Sequence, residues 1–148
     1  MNNYKKILAA IDFSDYDGIV VKQAKHLANQ LNAELSVIHV LDNIPMPDTP
    51  YGVIIALRDE SGDPLLEDEK NRLNQVCDSV GIAPANRWLI WGKPQEEIIQ
   101  LALKERVDLI VVGSHGHHGL AALMGSTAKG VIFNAECDVL TVHLKDNQ

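Results

Sequence analysis

The sequence predicts an α/β fold in which a five-stranded parallel sheet carries helices on both faces. Two observations point there. Five short apolar runs, each four to eight residues long, punctuate the chain, and patterns of helical period separate them, so that strand and helix alternate from end to end. Polar or glycine-rich residues also follow the first, second and fourth runs directly, which is where open parallel sheets place their ligand sites. At 148 residues the chain is the size of one domain, spanning 1–148.

The first strand is KILAAI, residues 6–11, and it ends at Asp12, Ser14 and Asp15, whose side chains open a turn or cap a helix. A helix follows to about Leu31, because Ile19, Val20, Gln23, Ala24, Leu27, Ala28 and Leu31 recur at spacings of three and four. The second strand is ELSVIHV, residues 34–40. Residues 41–63 hold Pro45, Pro47, Pro50, Gly52 and Gly62 without firm periodicity, and read as an excursion over the sheet rim.

A second helix is expected over 65–80, entered behind Pro64, and a third strand, NRWLIW, over 86–91. Gly92, Lys93 and Pro94 stop that strand, and the third helix runs from Pro94 to Lys104 with its proline in the first turn. The fourth strand is DLIVVG, residues 108–113; a last helix over about 123–134 then leads to the fifth strand, CDVLTVHL, residues 137–144.

Composition narrows the function classes. Thirteen basic against twenty acidic residues leave a formal charge of -7, so general attraction for nucleic acid or an anionic membrane is not expected. Cys77 and Cys137 are far apart and suggest small buried side chains rather than a thiolate metal site. The apolar run near the N-terminus is too short for a signal peptide or membrane anchor, which makes a cytoplasmic setting the expectation.

The densest motif is GSHGHHGLAALMGSTAKG, residues 113–130. A metal reading would use His115, His117 and His118 with Asp12 or Asp15, but a structural zinc site needs four converging ligands and only three are local. A catalytic reading lacks a GxSxG elbow, a cysteine-histidine pair and a P-loop; SHGH is similar to a nucleotidyl-transferase signature but has Ser114 in the first position and follows the wrong strand. A phosphate-binding reading uses Gly113 and Gly116 for close backbone approach, and Gly125, Ser126 and Thr127 at an expected helix start, where free amides favour an anion. The strand-end position favours this third reading.

The ordered set KILAAIDFSD, ELSVIHV, GKPQEEII, DLIVVGSHGHHGLAALMGSTAKGVI and CDVLTVHL resembles the universal stress proteins of the UspA type over nearly the whole chain. That resemblance implies a Rossmann-like three-layer sandwich with parallel strand order 3-2-1-4-5, dimeric through the fifth strand around Val139, Leu140 and Val142. It also implies binding of ATP or another adenine nucleotide. Asp12 would lie near ribose and adenine, the Val40 backbone would recognise adenine, Gly113 and Gly116 would lie over ribose and phosphates, and Gly125 and Ser126 would meet the phosphates with Thr127 beside them.

The glycine motif departs from the family's G-2x-G-9x-G-S/T pattern, because eight residues, not nine, separate Gly116 from Gly125. Magnesium or manganese is expected through the phosphates and not in a protein-built cage. The resulting expectation is a nucleotide-dependent regulatory or interaction module with unidentified protein partners; a nucleotide-independent dimer is the alternative, and slow ATP hydrolysis a weaker one. For hydrolysis only Asp12 or a loop histidine offers a base.

Overall fold

The computed structural model describes residues 4–12, 18–42, 52–58, 62–114 and 119–143, with the side chains of 119–126 outside the description. The chain forms β1 (Lys6–Ile11), α1 (Ile19–Leu31), β2 (Glu34–Leu41), β3 (Val53–Ile54) and α2 (Pro64–Val80). After a 3-10 turn (Pro84–Asn86) come β4 (Arg87–Trp91), α3 (Pro94–Lys104), β5 (Leu109–Gly113), α4 (Gly119–Asn134) and β6 (Asp138–Val142).

Local chemistry sets several of these boundaries. The Asp63 carboxylate accepts from the Leu65 amide at 2.9 Å and Pro64 occupies the first turn, so α2 starts there. Gly81, at φ 74°, ends it: this left-handed conformation suits a residue without Cβ, and it lets the Ile82 amide reach the Cys77 carbonyl at 3.0 Å. Asn32 ends α1 in the same way at φ 57°.

The sheet order is β3-β4-β2-β1-β5-β6. The β1–β2, β2–β4, β1–β5 and β5–β6 pairs are parallel, whereas β3 runs antiparallel to β4 through Val53↔Trp91 and Ile54↔Ile90. The sheet is therefore mixed and six-stranded, and the expected five-stranded, wholly parallel 3-2-1-4-5 sandwich is corrected. The added strand is a two-residue pairing inside the 41–63 excursion, held by the Gly52 amide on the Trp91 carbonyl at 2.7 Å and the Ile55 amide on the Leu89 carbonyl at 2.8 Å. Two residues are too few to leave an alternating pattern in a sequence.

Strand alternation divides the core between the two faces. Ile7, Ala9, Leu35, Val37, Leu41, Leu109 and Val111 meet α1 and α2 on one side; Leu8, Ala10, Ile38, Val40, Ile110 and Val112 meet α3 and α4 on the other. Each fully buried Leu or Ile contributes about 1.5–3 kcal/mol. At the amino ends of the strands the Asp108 carboxylate accepts from the Lys5 and Lys6 amides, closing that end of the β1–β5 junction.

Candidate functional site

At the opposite end of that junction the two strands part among the described residues. The β1–β5 ladder runs through Ile7↔Leu109, Leu8↔Ile110 and Ala9↔Val111 and ends there, while β1 stays paired with β2 to Ile11↔His39 and β5 with β6 to Gly113↔Val142. From β1 the chain moves outward to β2 and β4, then α3 carries it back across to β5 on the far side of β1. The unpaired strand ends thus lie where the order reverses, the place at which open α/β sheets hold ligands.

Three of the sequence-predicted residues lie at this end. Asp12 is half-buried and directly follows β1. Val40 is 8% exposed, pairs with Ile90 of β4, and lies one residue past the last β1–β2 pair. Gly113 is buried at the end of β5 opposite Val142. Gly116, along with His115, His117, His118, Ser14 and Asp15, lies outside the described residues.

Gly125, Ser126 and Thr127 are all helical, and Thr127 is half-buried. Here the structure differs from the expected helix boundary: α4 starts at Gly119 and not near Leu123. The amides free of intrahelical partners therefore belong to the turn beginning at Gly119, and Gly125 to Thr127 lie beyond it. A helix apolar on nearly every side gives no periodic edge by which its start can be read.

A buried polar group adjoins these positions that the sequence reasoning missed. His39 of β2 is 7% exposed, and its Nδ1 lies 2.9 Å from the Ile11 carbonyl. Its Nε2 is 3.6 Å from Glu69 Oε1 on α2, and Glu69 Oε2 is 3.8 Å from Arg72 Nη1. The polar contact with His39, helped by the charge of Arg72, holds the Glu69 carboxyl below the usual range against the opposing effect of burial. The available signal was one histidine inside the apolar run VIHVL, where a buried polar side chain requires a partner.

Among the described residues no group of three His, Cys, Asp or Glu side chains gathers as a metal site, and no helix is long and apolar enough to cross a membrane. Cys77 is buried and Cys137 half-buried, both as free thiols, with burial pushing Cys77 up to about 11. That raised value leaves little nucleophilic thiolate near neutrality.

Residues 3–143 match the model of the universal stress protein family. The chain is 38% identical over 146 residues to universal stress protein A homolog 2 of Coxiella burnetii, covering 98% of this chain and 99% of that protein. Among solved structures, it resembles a universal stress protein in complex with cAMP at 22% identity and TM-score 0.68, covering 96% of this chain and 98% of the other. It also resembles the Archaeoglobus fulgidus universal stress protein in complex with dAMP at 20% identity and TM-score 0.60, with coverages of 95% and 98%. With 141 of its 148 residues matched, the chain belongs to the universal stress protein family.

Proposed function

We propose that the chain binds an adenine nucleotide, ATP foremost, in the crevice at the carboxyl ends of β1 and β5, and works as a nucleotide-dependent regulatory or interaction module. The observation that carries this reading is the end of the β1–β5 ladder at Ala9↔Val111, with Asp12, Val40 and Gly113 at the rim beyond it. The cAMP and dAMP complexes of two proteins of this fold support it.

The residues present fit such a ligand. A carboxylate at Asp12 accepts hydrogen bonds from ribose hydroxyls, and the Val40 peptide groups, past the last β1–β2 pair, suit the edge of adenine. Gly113 offers backbone without a side chain, and the turn starting at Gly119 presents free amides and the positive end of a helix to phosphate. Gly116 joins this cradle in the proposal; from within α4, Ser126 and Thr127 would add hydroxyls rather than free amides, and Gly125 room beside them. A magnesium or manganese ion bound to the phosphates would offset charge in a chain of net charge -7.

The proposed working state is a homodimer in the cytoplasm, joined along β6. Leu140, on this sheet-edge strand, is 41% exposed, and an apolar edge of this kind calls for a cover. The exposed Ile132 and Phe133 of α4 favour a second reading, a dimer whose contacts do not depend on nucleotide.

Thermal unfolding with Asp12→Asn tests the first reading. At a concentration one hundred times Kd, ATP should add about 2.7 kcal/mol to wild-type stability. The variant should lose most of that gain at the same concentration; an unchanged gain would remove Asp12 from the site.

A further inference from the structure

We infer that His39 is a positioning residue for the nucleoside half of the site: its imidazole clamps the last peptide of β1 to β2 and so fixes Asp12 relative to the Val40 backbone. The inference rests on the nucleotide reading and adds to it a residue outside the expected contact set.

The register supplies the first argument. Ile11 and His39 are direct partners, and each immediately precedes a proposed contact residue, Asp12 and Val40 respectively. A carbonyl can only accept, so at 2.9 Å from the Ile11 oxygen the His39 Nδ1 carries the hydrogen and donates it. The Ile11 carbonyl and the Asp12 amide belong to one planar peptide unit. Holding that carbonyl therefore sets the direction in which Asp12 leaves the strand. This happens two residues beyond Ala9↔Val111, where β5 no longer supports β1.

Energetics supply the second argument. His39 and Glu69 are 7% and 9% exposed, within a face otherwise built from Leu35, Val37, Leu41, Leu66 and Leu73. A buried polar or ionic pair of this kind is often no more stabilising than apolar residues of the same volume. An aliphatic side chain at position 39 alone fills the same volume but leaves the buried Glu69 carboxylate with Arg72 as its remaining charged neighbour, so some stability is lost as well. It also cannot donate to the Ile11 carbonyl, and nucleotide affinity measured on folded protein is what reads the positioning.

Glu69 completes the clamp from the other side. Its Oε1, 3.6 Å from Nε2, gives the second ring nitrogen a charged neighbour while Nδ1 faces Ile11, and Arg72 lies behind it at 3.8 Å. On the same helix the buried Lys70 is paired with Glu67 at 3.0 Å.

Calorimetric titration of ATP, ADP and AMP into the full chain and its His39→Leu and His39→Asn variants tests the assignment. Asparagine places an amide N–H near the Nδ1 position and can still donate to Ile11; leucine cannot. His39→Leu should weaken every nucleotide that wild type binds by one common factor of tenfold or more at unchanged stoichiometry, because the phosphate contacts stay intact. His39→Asn should stay within threefold of wild type.

If His39→Leu does not fold, His39→Met replaces it as the apolar variant with the same expectation. Equal affinities in wild type and the apolar variant overturn the assignment alone, as does a His39→Asn as weak as the apolar variant. A wild-type chain that binds none of the three overturns the nucleotide reading, and the assignment with it.

Discussion

The Ser114 amide donates to the Val142 carbonyl at 2.8 Å, fastening the first residue after β5 to the last residue of β6. Ser114 opens the glycine-rich segment proposed to meet the nucleotide, and β6 is the sheet edge proposed to meet a second copy. A ligand that repositions the segment beyond Ser114 thus acts on a backbone already tied to that edge. Such coupling requires a ligand to favour one arrangement of the edge over another.

Leu140→Glu tests the edge. Because Leu140 is 41% exposed, the substitution leaves the core in place while putting a charge where two edges would pair. Light scattering should show a dimer for wild type and a monomer for the variant at the same micromolar concentration, with the dimer dissociation constant raised tenfold or more. Identical masses for the two proteins would place any assembly elsewhere.

Leu89→Ala tests the core that carries the site. Leu89 is fully buried in β4 and pairs with His39 of β2, and its carbonyl receives the Ile55 amide. Truncation leaves a cavity against α2 and should cost about 2–5 kcal/mol by denaturant unfolding. A cost below about 1 kcal/mol would mean that this face packs more loosely than described.

Glu69 makes a directional statement about pH. Its carboxyl is held below the usual glutamate value of 4.5, so the folded state binds the proton less readily than the unfolded one. The stabilisation is therefore present above that value and is lost as pH falls through the lower folded value. The stability gap between wild type and Glu69→Gln should be open at pH 7 and close on acidification below about pH 4. A gap that does not change with pH, or widens in acid, contradicts the His39–Glu69 pairing.

The apolar runs made β1, β2, β4 and β5 legible because their side chains are buried on both faces, as the unbroken burial of Leu109–Gly113 illustrates. Val53 and Ile54 were not legible, since they become a strand only through pairing with Trp91 and Ile90, partners more than thirty residues away. The start of α4 is hidden in the sequence because Gly119 and Gly125 read as loop residues within a largely apolar segment. Asp12, Val40 and Gly113 could be named from position at strand ends. His39 could not, because its role depends on a carbonyl twenty-eight residues away and a carboxylate on another helix.

The most direct test of the central claim is a calorimetric titration of the wild-type chain with ATP in the presence and absence of magnesium, repeated with Gly116→Val under conditions where both proteins are folded. Saturable binding near one nucleotide per chain is expected, strengthened by magnesium and abolished by the valine. No heat and no thermal stabilisation with ATP, ADP or AMP, with or without the metal, would contradict it.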